Sequence, residues 1–393
     1  PSLRDGLVVA EVAVAVALVA GASLLVRSYR RLQSVDPGFD AAGVLVAPIF
    51  LDMEGYGHGD RSRAYYAQLV ERLEALPGVA SAGGATALPA SPLGPNFDRP
   101  VWSDGAPENE RARWRGWVRM VTPRYFETLG IRLLEGRAFD GRDGPGAART
   151  VILGRSLARA LWPDGRAVGR RLVVDYSQAG TDPYDVVGVV DDVRFGGPRQ
   201  DPRLELYLPH AQRPYLVMNM AVRAKGDPRH LAPAVRAVLR ELDPTMPPQG
   251  LHTLADLLGA TYARDRQAMR VLSAFAVAAA LLALLGVHGI LTHRVRERAR
   301  EIGIRMAVGA DRARVLRWIA GYALRLLLAG VALGLVLSAA SARLVSGLLF
   351  DVGVLDAAPL LGVASLALLA FAVALHPAWR ATRVDACEVL RAG

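Results

Sequence analysis

Carboxylates are the first side chains in this sequence whose type and spacing could support chemistry. Asp185, Asp191 and Asp192 lie in the strand-like stretch "YDVVGVVDDVRF", and two such carboxylates could act as general acid and base in hydrolysis. No base or nucleophile is spaced to work with them, so a solvated acidic turn at a strand end explains them better. The stretch "GRSLA" at residues 154–158 lacks the closing glycine of a nucleophile elbow. The pattern therefore predicts a chain without catalytic activity of its own.

Metal, nucleotide and nucleic-acid sites also lack support. The seven histidines show neither HxxxH nor HExxH spacing, and a single cysteine, Cys387, cannot form a cysteine-based zinc cluster. A phosphate-binding loop ends in Gly-Lys-Ser/Thr, but the only lysine, Lys225, stands in "RAKGDP". We predict no metal, no cofactor and no nucleic-acid partner, and we place any ATP hydrolysis on another polypeptide. The net charge of +10 is almost entirely arginine, which also gathers at membrane faces.

The sequence contains four long apolar segments. A chain that is 52% hydrophobic is too apolar for an ordinary soluble protein. Each segment has roughly the twenty residues needed to cross a hydrocarbon core about 30 Å thick. The segments are residues 7–26, 271–291, 319–344 and 357–375. A buried core helix could explain one of them but not four, and the first is longer than the apolar region of a usual signal peptide.

Arginine placement predicts the orientation of these spans. Eight arginines lie between the second and third spans, whereas residues 346–356, between the third and fourth, contain no lysine or arginine. Basic short loops stay in the cytoplasm, so we expect both termini inside and residues 28 to about 268 outside. Arg27, Arg30 and Arg31, at the outer end of the first span, oppose this assignment. Long loops are translocated largely regardless of their charge, so we base the orientation on the other three spans.

The outer segment alternates short apolar strands with amphipathic helices. One strand–helix–strand unit occupies residues 44–51, 60–78 and 79–88, and a second occupies 215–224, 227–244 and 246–254. Two such units around an insert predict an α+β extracytoplasmic domain, with a split ferredoxin-like lobe and a β-rich lobe inserted at about residues 88–214. Strand candidates in the insert are residues 184–195 and 204–212. The order in which the strands pair stays open.

Three residues inside the spans attract attention. Glu11 lies about one turn into the first span, where an intramembrane carboxylate is a functional candidate and solvation at the interface is an equal alternative. Gly330 and Gly334 form a Gly-x-x-x-Gly face that permits close helix packing, either within the chain or between two copies. No series of polar residues runs through the spans, which argues against a substrate pore lined by them.

The stretch "RVRERAREIGIRMAVGA", residues 294–310, is an amphipathic pattern in the arginine-rich loop. Its apolar positions recur at spacings of three and four, opposite a charged face. Gly303 costs about 1 kcal/mol relative to alanine, yet it leaves room for a closely packed surface. A segment lying on anionic lipid would explain the arginines. Lipid explains neither the glycine nor Glu297 and Glu301, so we favour a protein partner for this helix.

The same stretch resembles a known family. Residues 300–310, "REIGIRMAVGA", resemble the coupling-helix motif of the MacB/FtsX-type ABC transporter permeases. Further stretches, in the family's order, resemble its periplasmic domain and its cytoplasmic tail. They are residues 121–143, 157–172, 184–194, 205–212 and 377–392. The spacing is similar to the second half of duplicated permeases, so we expect this chain to be the C-terminal half of a longer polypeptide.

The resemblance implies three parts: a first transmembrane helix at 1–27, a periplasmic domain at 28–268 and a permease domain at 269–393. A coupling helix at 294–310 would dock on a cytoplasmic ABC ATPase. The contact residues carried over are Arg300, Glu301, Ile302, Gly303, Ile304, Arg305, Met306, Gly309 and Ala310. The family is thought to work by mechanotransmission, in which ATPase closure reshapes the outer domain, here in export across the bacterial inner membrane.

Further partners follow from the resemblance: membrane lipid, a second permease half or copy, and a periplasmic adaptor. An alternative is a signalling or scaffold protein like the FtsX-like members, whose outer domain regulates a cell-wall hydrolase or senses a peptide. A membrane-anchored enzyme would need a nucleophile or metal constellation that this sequence does not offer.

Overall fold

The computed structural model describes most of the chain in two compact units. The described residues are 3–57, 59–111, 113–176, 180–197, 199–245, 250–298, 312–345 and 357–381. One unit contains the described residues up to Ser34 and from Ala263 onward, and is called the helical unit. The other, Val35–Tyr262, is called the α+β unit.

Ten α-helices and eleven strands are present in the described residues. The helices are α1 (Leu3–Ser34), α2 (Met53–Tyr56), α3 (Gly59–Glu74), α4 (Tyr125–Leu129), α5 (Arg155–Leu161), α6 (Ala232–Leu242), α7 (Leu254–Thr261), α8 (Ala263–Glu297), α9 (Arg312–Val345) and α10 (Ala357–Ala381). The strands are β1 (Val44–Phe50), β2 (Val79–Ala85), β3 (Phe97–Ser103), β4 (Trp114–Val121), β5 (Leu133–Gly136), β6 (Thr150–Gly154), β7 (Arg171–Asp175), β8 (Thr181–Val190), β9 (Glu205–Pro209), β10 (Val217–Ala224) and β11 (His252–Thr253).

The helical unit consists of α1, α8, α9 and α10. Each is long and apolar enough to cross a membrane, and the four predicted spans fall within them. The prediction of four spanning helices is therefore confirmed. Helix α1 packs against the other three, and its buried residues Val12, Val16 and Ala20 share one apolar cluster with them. Because the apolar residues of α1 face three neighbours, this helix forms the centre of the unit.

A four-stranded antiparallel sheet in the order β11-β1-β10-β2 begins the α+β unit. Strand β1 explains why both faces of this sheet are covered. Its alternate residues Leu45, Ala47 and Ile49 pack with α3 and α6, while Val44 and Val46 enter a second cluster on the opposite face. This strand order with two helices on one face is ferredoxin-like, and the insert separates β2 from β10. The predicted split ferredoxin-like lobe is confirmed.

The insert is built on a closed ring of six strands. Its order is β4-β3-β7-β8-β6-β9, and a parallel pairing of β4 with β9 closes the ring. Apolar residues from all six strands form one buried cluster. Leu157 of α5 and Trp162, the residue after α5, belong to the same cluster. Strands β8 and β9 correspond to the two predicted strand candidates. The ring joins the ferredoxin-like sheet at the residue pair Ala85–Val121 and shares one buried apolar cluster with it. The inserted lobe is β-rich, as predicted.

One predicted strand is wrong at its end. The sequence pattern predicts a strand over residues 246–254, but of the described residues in that range only His252 and Thr253 form a strand. Helix α7 begins at Leu254 because the Thr253 hydroxyl accepts a hydrogen bond from the Asp256 amide, at 3.0 Å. Such a side-chain cap satisfies an otherwise unpaired amide at the helix start, and it ends the strand two residues after it begins.

A buried ion pair lies on the outer side of the β4–β9 pairing. Arg119 and Glu205 have side chains that are 0% and 2% exposed, with Nε and Oε2 3.1 Å apart. The Arg119 guanidinium also donates to the Pro95 carbonyl and lies 4.3 Å from the centre of the Phe195 ring. A buried charge is tolerated only when it is paired and hydrogen-bonded. Arg119 and Glu205 therefore stabilise the ring jointly rather than singly.

Candidate functional site

Three helices of the helical unit are joined by a polar cluster next to the predicted coupling segment. Asp5 in the first turn of α1 accepts hydrogen bonds from Arg294 Nη2 of α8, at 3.0 Å, and from the Tyr322 hydroxyl of α9, at 2.6 Å. The Arg294 guanidinium lies 4.8 Å from the centre of the Tyr322 ring. Asp5 is only 7% exposed. We call Asp5, Arg294 and Tyr322 the three-helix anchor.

Helix polarity favours this arrangement. Asp5 stands in the first turn of α1 and Arg294 in the last turn of α8, where an acid and a base respectively interact well with the helix dipole. The charge-assisted bond from Arg294 and the hydroxyl bond from Tyr322 satisfy both carboxylate oxygens. The anchor therefore fixes the start of α1 against the end of α8 and an early turn of α9.

A second set of contacts surrounds the anchor. Arg4 Nη1 lies 2.5 Å from His293 Nε2, and the same histidine nitrogen lies 3.1 Å from a Glu297 oxygen. Arg298, the last described residue of α8's end of the predicted coupling helix, lies 4.8 Å from the ring centre of Trp318 on α9. The end of α8 thus contacts α9 at Trp318.

The residues predicted to contact an ATPase lie outside the described residues. They are Arg300, Glu301, Ile302, Gly303, Ile304, Arg305, Met306, Gly309 and Ala310. Residues 294–297, the first four of the predicted coupling helix, form the last turn of α8. Asp5 and Tyr322 are not among the site residues predicted from the sequence. The available signal was Asp5 itself, a charged residue two positions before the first apolar segment.

Gly330 and Gly334 of α9 lie against α1. A Cβ atom on Gly330 would be 2.6 Å from Val12 Cγ1, and one on Gly334 would be 2.6 Å from Val16 Cβ and 2.7 Å from the Ala13 carbonyl oxygen. Real Cβ atoms do not approach other heavy atoms so closely, so only glycine fits at either position. The Gly-x-x-x-Gly face is thus used for packing within this chain.

Glu11 lies between α1 and α8. One of its carboxylate oxygens, Oε2, is buried and has no hydrogen-bond partner among the described residues. A Cβ on Gly286 would be 2.2 Å from this oxygen, so the missing side chain at Gly286 makes the room that Glu11 occupies. Of the two interpretations of Glu11, this position favours a packed intramembrane carboxylate over one solvated at the interface.

The carboxylates considered for hydrolysis have structural partners. Asp192 accepts from the Ser156 amide at 2.9 Å and from its hydroxyl at 2.7 Å, at the start of α5. Asp191 pairs with Arg132 and Arg155, each at 2.7 Å. Partial burial raises the pKa of Asp191, but the hydrogen bonds from Arg132 and the Asp192 amide and the charges of Arg155 and Arg132 together outweigh it and hold this pKa below its usual value. A general acid would need the opposite shift.

Metal ligation has no geometric support in the described part of the chain. No group of three or more histidine, cysteine, aspartate or glutamate side chains is placed to hold an ion there.

His210 gives the α+β unit a pH dependence. It is 4% exposed, its ring packs edge-on against Tyr66, and its Nε2 lies 3.0 Å from the Tyr215 amide, which donates to it. Burial lowers the pKa of His210 to about 4, with Arg63 adding to the shift and the Tyr215 carbonyl opposing it. The folded state therefore holds this ring neutral, whereas the unfolded state protonates it near pH 6.5.

We expect His210→Gln to remove this dependence. A depressed folded pKa contributes stability that is full above pH 6.5 and is lost as the pH falls from 6.5 to 4, by roughly 3 kcal/mol in total. Urea unfolding at pH 7.5 and pH 4.5 gives the free energy of unfolding of wild type and variant. The difference between the two proteins at each pH cancels the contribution of the other titrating groups. A difference that does not change with pH would contradict the neutral His210.

Two family models match this chain. One, described as a MacB-like periplasmic core domain, matches residues 6–241, and the other, described as an FtsX-like permease C-terminal domain, matches residues 273–386. Together they cover the four apolar helices and most of the α+β unit.

Similar curated proteins are longer than this chain. The macrolide export ATP-binding/permease protein MacB of Chromobacterium violaceum is 30% identical over 223 residues, which is 54% of this chain and 33% of the relative. The pyoverdine export ATP-binding/permease protein PvdT of Pseudomonas putida is 28% identical over 279 residues, 65% of this chain and 40% of the relative. The periplasmic region of MacB from Actinobacillus actinomycetemcomitans, a solved structure, aligns over 57% of this chain and 95% of its own, at 14% identity and a TM-score of 0.39.

Proposed function

Since the chain belongs to the MacB/FtsX-type ABC transporter permeases, we propose that it is a membrane subunit that couples ATP hydrolysis to movement of an extracytoplasmic domain. The relatives named above carry ATP-binding in their printed names, while the 393 residues here contain no Gly-Lys-Ser/Thr loop. The proposed ATPase is therefore a partner outside this sequence, and the chain itself is non-catalytic.

The orientation we propose places the arginine-rich segment between α8 and α9 in the cytoplasm. Both termini are then cytoplasmic, and residues 28–268 lie outside the inner membrane. Arginine bias supports this assignment, as does the description of the matching family model as periplasmic. Residues 269–393 would then be the permease domain, with the coupling helix at 294–310.

The three-helix anchor is the observation that carries the coupling proposal. A force applied by an ATPase to residues 299–311 meets the end of α8 and the start of α9, and Asp5 ties Arg294 at the end of α8 and Tyr322 in the third turn of α9 to the start of α1. Helix α1 continues to Ser34, after which the chain enters the α+β unit, and that unit leads back into α8 at Ala263. Two covalent connections thus carry motion of α1 and α8 to the outer domain.

Mechanotransmission is favoured over passage of a substrate between these four helices. Apart from Glu11 and the three-helix anchor, the buried residues that α1 shares with α8, α9 and α10 form one apolar cluster in the described residues, and Gly330 and Gly334 bring α9 too close to α1 for a pathway between them. Export is the direction we propose, because the printed names of the relatives describe export. A second permease half or copy and a periplasmic adaptor complete the proposed assembly.

Variants at the coupling helix test this function. We expect Gly303→Trp and Arg305→Glu to lower the ATP turnover of the ATPase that co-purifies with the full chain by at least about tenfold, because a bulky or oppositely charged side chain would block docking. Arg314→Glu is the matched control, since it makes the same charge change between the second and third spans, at an exposed position of α9. Membrane insertion should be unchanged in all three variants. Wild-type turnover in both Gly303→Trp and Arg305→Glu would refute the proposal.

A further inference from the structure

A large groove opens on the surface of the helical unit. Its volume is about 610 Å³, and it is lined by residues of α1, α8 and α10. Its larger apolar side chains are those of Val19, Val26, Val277 and Leu361. Arg27 and Arg30 line it at one end, with the hydroxyls of Ser23 and Ser273 between.

The polar residues form one stripe along the groove. Ser23, Arg27 and Arg30 follow one another on α1 at spacings of four and three, so their side chains lie on the same helix face. Helix α8 runs antiparallel to α1 here, because a Cβ on Gly21 would be 3.4 Å from Leu272 Cδ2 and Glu11 lies against Gly286. Ser273 of α8, next to Leu272, is therefore near the level of Gly21 and Ser23 on α1.

Length and polarity match half of a bilayer. Val19 and Arg27 are eight positions apart on α1, which at 1.5 Å per residue is about 12 Å. One leaflet is roughly half of a hydrocarbon core about 30 Å thick. The apolar part of the groove on α1 thus spans most of one leaflet, and the two guanidinium groups stand toward that leaflet's headgroups.

Small side chains keep the groove open. Ala22, Ala276 and Ala280 line it, and larger side chains at these positions would fill it. The cavity is therefore a consequence of residue size at the surface between three helices, as in other ligand pockets between packed helices.

We propose that this groove binds an anionic phospholipid, with the phosphate held by Arg27 and Arg30 and one acyl chain lying along Val19, Val277 and Leu361. Guanidinium groups bind phosphate through paired, charge-assisted hydrogen bonds. The proposal also explains arginines that the orientation rule leaves unexplained, since positive residues at the outer end of α1 oppose the bias of the other loops.

The positive charge of Arg27 and Arg30 favours an anionic phospholipid over the other molecules that could occupy the groove. A zwitterionic lipid offers the same acyl chain but an ammonium group that offsets its phosphate. A second copy of this chain would bring the same two arginines to the contact and repel them. An anionic lipid complements the basic end and the apolar length of the groove together.

Native mass spectrometry of the full chain in mild detergent tests the proposal. The chain is incubated with phosphatidylglycerol and phosphatidylethanolamine of identical acyl composition at equal concentrations. We expect wild type to retain phosphatidylglycerol at least about fivefold more, and the double variant Arg27→Gln/Arg30→Gln to lose this preference. Arg31→Gln is the matched control, because Arg31 is at the same end of α1 but does not line the groove, and it should keep the preference.

A second variant separates the groove from surface charge alone. Val277 is 61% exposed, so Val277→Trp can fill the groove without disturbing the core, and we expect it to reduce retention of phosphatidylglycerol although both arginines remain. Equal retention of the two lipids by wild type, or an unchanged preference in the double variant, would overturn the proposal. Disulfide-linked dimers of Ser273→Cys in a Cys387→Ser background would also overturn it, because a second copy would then occupy the groove.

Discussion

Replacing Arg119 with methionine is expected to lower the free energy of unfolding of the α+β unit by about 3–5 kcal/mol. The substitution leaves Glu205 buried, with a side chain only 2% exposed, and removes its partner. Burial already raises the pKa of Glu205 while Arg119 opposes the shift. Without Arg119 the carboxyl can remain buried only by taking up a proton or by drawing in water, and both reduce the stability of the β4–β9 pairing that closes the ring.

Two further variants make this expectation specific. The double variant Arg119→Met/Glu205→Leu should recover most of the loss, because replacing both members of a buried pair with apolar residues is often neutral. Arg115→Met is the matched control on the same strand, since the Arg115–Asp98 pair is 55% and 36% exposed and such pairs contribute at most about 1 kcal/mol.

Hydrogen exchange of the β4 and β9 amides, measured in the full chain, compares the stability of the ring in the three variants. The expectation fails if Arg119→Met protects these amides as well as Arg115→Met does, or if the double variant is no more stable than the single one. Either result would mean that the ion pair is solvated in the folded protein.

The second large effect is expected at Gly334, where leucine should destabilise the helical unit by at least about 2 kcal/mol. Leucine favours helices, so any loss must come from packing: the new Cβ would be 2.7 Å from the Ala13 carbonyl oxygen and 2.6 Å from Val16 Cβ. Backbone and a β-branched side chain cannot move aside as a flexible side chain can. Helix α9 would have to separate from α1, and the buried contacts around Val16 and Leu327 would be lost with it.

Gly321 supplies the control for this substitution. It lies on the same helix, and a Cβ there would meet no atom within 4 Å. Gly321→Leu should therefore leave thermal stability unchanged or raise it slightly. Fluorescence-detected thermal unfolding in detergent should show a midpoint about 5 °C or more lower for Gly334→Leu alone. Equal midpoints for the two variants would show that α1 and α9 are not in close contact in the membrane.

Local patterns in the sequence were sufficient for much of the fold. The four spans could be predicted because membrane insertion depends on about twenty consecutive residues of sufficient hydropathy, and all four lie within α1, α8, α9 and α10. The two strand–helix–strand units could be predicted because side-chain periodicity differs between strands and helices. The exception, the strand expected through residue 254, depended on one hydroxyl at Thr253 that caps a helix.

The sequence by itself thus determined the number of spans, the type of each lobe and the motif at residues 300–310. Only the tertiary structure decided which partners the polar and small residues meet. Asp5 accepts a hydrogen bond from Tyr322, 317 residues away, and Arg119 donates one to Glu205, 86 residues away. Gly330 packs against Val12 of α1. Hydropathy and periodicity act over a few neighbouring residues, whereas these contacts depend on which faces of distant elements pack together, and that packing sets the burial that makes each contact strong.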